Sequence, residues 1–175
     1  ALLKAKVSIA RVTSSMAPAT ARAHNTKPAP HDAIALLTAD HAAVSEMFAE
    51  YEKSRSAPRK QALIAEICTA LTVHAQIEEE IFYPAVKAAL KDKLLVPEAT
   101  VEHASLKDLI AQLEGIETDS EMVDARVKVL SEYVKHHVKE EQNEMFPKVK
   151  SSSLDTVELG ERMAARKDDL MALAV

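Results

Sequence analysis

The sequence predicts an all-α protein: an up-down-up-down antiparallel four-helix bundle with an additional C-terminal helix and a disordered N-terminal tail. Three observations predict it. Only two glycines in 175 residues, 3% aromatic residues and an abundance of Ala, Leu, Lys and Glu favour helix over sheet. Apolar residues recur at steps of three and four along four long segments, which gathers each set on one inward helix face. Short connectors join those segments, and short links between long helices make neighbours antiparallel.

Taken in order, residues 1–31 carry Lys4, Lys6, Arg11, Arg22 and Lys27 with no acid, and are rich in Ala, Ser, Thr and Pro. This composition broadly matches a transit peptide, or sequence upstream of a start at Met16, but a basic disordered tail is the preferred reading. Asp32 can cap a first helix running to about Ser54, with Pro30 marking its entry. Residues 54–58 form a connector to a second helix that reaches about Leu90, where Pro84 predicts a kink. Lys91 to Val96 lead to Pro97, which fits the first turn of a third helix ending near Gly115. A fourth helix spans roughly Ser120 to Val149, with Pro147 at its end. Ser151 to Ser153 make a hinge, and Asp155 can cap a last helix of about 156–173. That helix pairs Val157, Met163, Leu170 and Met171 with charged residues and reads as a lid or packing arm. The expected organisation is therefore a tail (1–31), a bundle (32–150) and a hinge with a packing helix (151–175).

The net charge of −5 hides an asymmetry. Removing the five basic residues of the tail from the 22 leaves 17 basic against 27 acidic residues in the body. An acidic body argues against nucleic acid as the main partner and suits a cation binder. No apolar run approaches a membrane span. The single cysteine, Cys68, allows no intramolecular disulfide, reads as a small buried hydrophobe, and fits a reducing, cytoplasmic setting.

The informative exceptions to the apolar pattern are four histidines. His41 lies in the stripe Ile34, Leu37, His41, Val44, Phe48, and His74 in the stripe Ile67, Leu71, His74, Glu78, Ile81. His103 lies in Ala99, His103, Leu106, Ile110, Leu113, and His137 in Val127, Leu130, Val134, His137, Glu141. Imidazoles and carboxylates at core positions are costly unless something binds them, and a single buried histidine is commonly just a satisfied core residue. Four of them, phased with Glu78 and Glu141, point to a shared metal instead. An internal repeat strengthens this. Thr38-Ala-Asp-His41-Ala returns as Thr100-Val-Glu-His103-Ala, and His74-x3-Glu78-x5-Pro84 returns as His137-x3-Glu141-x5-Pro147. The two hairpins are thus related by a pseudo-twofold, each supplying two His and one Glu. His136 and Glu140 share the same i,i+4 spacing, but the repeat and the apolar stripe select His137 and leave His136 on the surface.

Imidazole and carboxylate donors suit iron, zinc or manganese better than calcium or magnesium. Without thiolates the usual structural zinc site is absent, and there is neither an HExxH helix nor a Glu-x-x-His motif. Asp40 and Glu102, one residue before His41 and His103, are candidates to orient an imidazole on another helix. Glu79, Glu80 and Glu140 read as a solvated face, and Phe82, Tyr83, Met145 and Phe146 as packing near the bundle end.

The segments Asp40-His41, His74-x3-Glu78-Glu79-x2-Phe82-Tyr83-Pro84, Glu102-His103 and His137-x3-Glu141-Gln142-x2-Met145-Phe146-Pro147 resemble the hemerythrin-like, HHE cation-binding domains over about residues 32–150. The resemblance implies a four-helix bundle around two iron ions, a di-iron centre with an oxo or hydroxo bridge, held by His41, His74, His103 and His137 with Glu78 and Glu141 bridging. It also implies dioxygen, peroxide, nitric oxide or iron itself as the species bound or sensed. Oxygen-carrying hemerythrins have a further His four residues after the helix-three His, where this chain has Lys107. Each ion then has about five ligands against a usual six, and an open position suits a sensor or a peroxide- or NO-binding site. Tyr133 and Glu79 are the candidate substitute ligands. The alternative is a di-iron enzyme of catalase- or peroxidase-like activity, which would need a general acid–base group beside the open position. The sequence names no such group and no oligomeric state.

Overall fold

A computed structural model describes residues 32–114 and 121–174. The expected tail, Gly115 and the start of the fourth helix near Ser120 lie outside the described residues. Among the described residues there are helices and no strands, arranged as the expected bundle.

Helix α1 (Ala33–Lys53) starts where Asp32 Oδ1 accepts hydrogen bonds from the Ile34 and Ala35 amides, at 2.9 and 3.2 Å. Ser56 caps α2 (Ala57–Ile77) by accepting from the Arg59 amide, and Pro58 sits in the first turn, where no amide donor is needed. Helix α4 (Leu95–Ala111) is entered through Asp92, whose Oδ1 accepts from the Leu94 and Leu95 amides. Helix α5 spans Glu121–Glu140.

The expected kink at Pro84 takes a different form. Five residues, Glu78–Phe82, form a π-turn between α2 and α3 (Tyr83–Ala89), closed by the Tyr83 amide donating to the Glu78 carbonyl five residues back. Proline has no amide to give and its ring crowds the carbonyl four residues earlier; widening the preceding turn removes the conflict. The second hairpin repeats the device. Glu141–Met145 form a π-turn between α5 and α6 (Phe146–Lys150), and the Phe146 amide donates to the Glu141 carbonyl ahead of Pro147. The extra residue rephases the stripe: Ile81, expected inside, is only half-buried, and Phe82 is fully enclosed instead.

Helix α7 (Thr156–Leu173) is capped by Asp155 and lies chiefly across α1, α2 and the first π-turn. Its inward face is Leu159, Met163 and Leu170, a set spaced four and seven residues apart. Val157 and Met171 are 44% and 41% exposed because they point off that face. The core forms two apolar clusters. One gathers Leu37, Ile77, Phe82, Val86, Val149 and Met163, and the other Val44, Phe48, Leu63, Ile67, Leu106 and Leu130. Between them lies a polar layer.

Candidate metal centre

That layer contains all six residues singled out by the repeat. His41 (5% exposed), His74, His103 and His137 are buried, as are Glu78 and Glu141. The π-turns begin at the two glutamates, so each carboxylate stands at the break in its helix, one turn beyond the His of the same helix. Ligand atoms fall in two overlapping groups, one from His41, His74, Glu78 and Glu141, the other from Glu78, His103 and His137.

The ring orientations are set from behind by four side chains. His74 Nδ1 lies 3.3 Å from Asp40 Oδ2, and His137 Nδ1 lies 2.7 Å from Glu102 Oε2. His103 Nδ1 is 3.0 Å from Glu79 Oε1, and Gln142 Nε2 is 3.2 Å from His41 Nδ1. With each Nδ1 partnered, every Nε2 is aimed into the layer. His41 and His74 bring their Nε2 atoms to 3.1 Å, and so do His103 and His137. The Nδ1 atoms of His103 and His137 both face carboxylates and so carry the protons of neutral rings; their two Nε2 lone pairs then point at one another, and a cation between them satisfies both. Glu78 Oε2 is 3.3 Å from both His74 Nε2 and His103 Nε2, and Glu141 Oε2 is 3.3 Å from His41 Nε2. Glu78 Oε1 and Glu141 Oε2 are buried without a hydrogen-bond partner. Orphaned carboxylate oxygens between paired imidazoles are the donor set a first-row transition ion takes.

The electrostatics agree. Burial lowers the His74 and His103 imidazoles, the latter to about 4, with neighbouring imidazoles adding to the shift, so both rings are held neutral with a lone pair available. Burial also opposes charge on His137, but its hydrogen bond to Glu102 and nearby carboxylates win and raise it. Burial and the adjacent Glu141 push Glu78 well above the usual carboxylate range. Glu141 is buried too, yet its contact with His41 and the nearby imidazoles hold it at about 2.

Tyr83 lies at the centre, not where sequence reasoning placed it. It was expected at the bundle end, but its hydroxyl donates to Glu141 Oε1 at 2.9 Å and lies 3.2 Å from His103 Nε2 and 3.5 Å from Glu78 Oε2. In an α-helix five residues turn through ~140° beyond a full circle, which would carry Tyr83 away from Glu78. The π-turn stacks positions i and i+5, which returns it to the site. The available signal was a proline six residues beyond the glutamate. Tyr133, a candidate substitute ligand, is 50% exposed and takes no part. Glu79 is not a ligand candidate either; it holds His103 from behind and is itself paired with Lys107, 2.6 Å away. Expected on a solvated face, it is half-buried. Lys107 thus neutralises Glu79, and Lys167 of α7 neutralises Asp40 in the same manner.

A cavity of about 170 Å³ reaches all four histidines; its walls are otherwise mainly apolar, including Val44, Leu71, Leu106 and Val134, with Lys107, Lys167 and Met171 also lining it.

The fold and the buried His/Glu layer define a helical-bundle protein built to bind metal cations. Residues 32–149 match the hemerythrin HHE cation binding domain family, and the chain belongs to that family. Among solved structures, it is similar to a hemerythrin HHE cation binding domain-containing protein of Mycobacterium kansasii. That likeness has a TM-score of 0.67 at 24% identity, over 81% of this chain and 88% of that one. Among curated proteins, it is 27% identical over 117 residues to a DNA nickase of Nostoc sp., covering 67% of this chain. The chain spans 33% of that relative's length. No described helix is long and apolar enough to cross a membrane.

Proposed function

We propose that this chain is a non-haem di-iron protein that binds or senses a small oxygen or nitrogen species. His41 and His74 would hold one ion, His103 and His137 the other, with Glu78 and Glu141 shared between them. The observation that carries the reading is the double pairing of Nε2 atoms at 3.1 Å across two orphaned carboxylates. Iron in this set would supply ligation and redox chemistry for dioxygen, peroxide or nitric oxide. The chain supplies the rest. Asp40, Glu79, Glu102 and Gln142 fix the rings, and the mainly apolar cavity leads a small uncharged molecule to them. Elemental analysis after expression with iron available tests this: about two irons per chain are expected. The double variant His74→Ala, His137→Ala should retain almost none. Negligible iron in the parent chain would overturn the reading.

One observation favours the enzymatic alternative. The Tyr83 hydroxyl sits at the centre, donating to Glu141 Oε1 at 2.9 Å, which places an O–H proton source beside the would-be metal ligands. Peroxide dismutation to water and dioxygen needs no other reductant. Turnover by the iron-loaded chain, lost in Tyr83→Phe with iron content intact, would make this a catalase-like enzyme; no turnover in the parent chain leaves it a binding protein.

A further inference from the structure

The pseudo-twofold that relates the two hairpins fails at one surface. Beneath α7, the first hairpin presents Leu36, Val73 and Ile77, all buried. Their counterparts 62 or 63 positions later are Glu98, His136 and Glu140, and half-buried Ile81 becomes Glu144. An uncovered face needs polar residues, but any mixture would serve. This one holds four acids, counting Glu102, and one imidazole; among the described residues the charged partners of Glu102 and Glu140 are histidines.

Three of these side chains converge. His136 Nε2 lies 3.5 Å from Glu102 Oε1 and 3.2 Å from Glu140 Oε1, a third constellation of ligand atoms separate from the buried layer. His136 is well exposed, its side chain at 65%. Beside it runs a cleft of about 170 Å³ whose lining includes Glu98, Glu102, Glu140 and Glu144. Glu141 also lines that cleft. It is 2% exposed, and its Oε2 has no hydrogen-bond partner. The cleft therefore extends from the surface constellation to a residue of the buried centre, whose Oε2 faces His41 Nε2 at 3.3 Å. Glu102 belongs to both, with Oε1 towards His136 and Oε2 on His137 Nδ1.

We propose that Glu102, His136 and Glu140 form an outer site for a divalent first-row transition ion, from which the ion passes along the acidic cleft to Glu141 and the buried centre. One imidazole with two carboxylates suits Fe²⁺, Mn²⁺ or Zn²⁺, and its exposure makes it a site of exchange rather than of storage. The cleft walls concentrate cations at its mouth, as one-signed clefts do. The loading role rests on the buried layer being a metal centre; the outer site does not.

The test uses the full chain and the double variant His136→Ala, Glu140→Gln, both at exposed or half-exposed positions. Iron-loaded parent chain should bind a further Mn²⁺, read by loss of the free-ion EPR signal, and the variant should not. Metal-free variant should take up Fe²⁺ at least about ten-fold more slowly than the parent in anaerobic stopped flow, yet reach the same final iron content. No extra Mn²⁺ on the parent, or its retention by the variant, overturns the site. Equal uptake rates overturn the route. Failure of the parent to take up any iron sinks the reading of the buried centre instead, and Mn²⁺ binding then decides the outer site alone.

Discussion

The two hairpins carry the same ligands in the same order but surround them differently. In the first, α7 covers the outer face, and Lys167 neutralises the Asp40 that holds His74. In the second, the matching face is open, and the Glu102 that holds His137 meets His136 instead of a lysine. Glu79 and Lys107 brace His103, whereas Gln142 alone holds His41. Tyr83 brings a hydroxyl to the centre; its counterpart Phe146 stacks on His41 with ring centroids 6.0 Å apart and brings none. Shared ligation therefore does not make the two ends equivalent. One is covered by α7 and neutralised by its lysine, the other is acidic and open on its outer face.

The largest expected effect lies under α7. Met163 is fully buried, and Met163→Ala should cost about 2–5 kcal/mol of unfolding free energy, measured by urea titration, because the cavity it leaves cannot collapse. A cost below about 1 kcal/mol would mean that α7 is only loosely docked, and the contrast in covering would collapse.

The two buried carboxylates should differ in sign in the metal-free chain. Glu141, held at about 2, contributes stability that is present above its unfolded value of 4.5 and lost as pH falls from there towards 2. Glu141→Gln should then destabilise the metal-free chain at pH 7. Glu78 is raised, so its contribution is whole below 4.5 and is lost as pH rises towards its folded value. Glu78→Gln should therefore stabilise the metal-free chain at pH 7, although it removes a metal donor. Denaturation curves at pH 7 and pH 4 separate the two; the same sign for both would erase the distinction.

Removing the side chains behind the rings should cost less. Asp40→Ala and Glu102→Ala are each expected to weaken metal affinity about 10–100-fold, read by competition with a chelator. Lys167→Met should have the smallest effect, within about 0.5 kcal/mol in stability, because the ammonium is partly exposed and screened. If it matched Asp40→Ala in metal affinity, the brace from α7 would rank with the residues that hold the rings directly.

The helices, the caps at Asp32 and Asp155 and the six inward His and Glu residues were legible because each follows from periodicity or from a single side chain's chemistry. The repeat distinguished His137 from His136, which spacing within one helix does not. Tyr83 was not legible, since an α-helical phase was carried through a stretch that is not α-helical, and Ile81 was misplaced for the same reason. Tyr133 failed differently. It is one turn before His137 along the helix, but lies ~40° round on the side away from Leu130, Val134 and Glu141, which leaves the ring in solvent. Glu79 and Gln142 were overlooked as ring holders because each faces a neighbouring helix, and a sequence read one helix at a time carries no information on that pairing.

The polar layer separates the two apolar clusters into compartments that meet mainly through imidazoles and carboxylates. Such a chain has a built-in seam. Ions bridging the layer would act as rivets across it, so that their gain or loss would change how strongly the two ends of the bundle melt together.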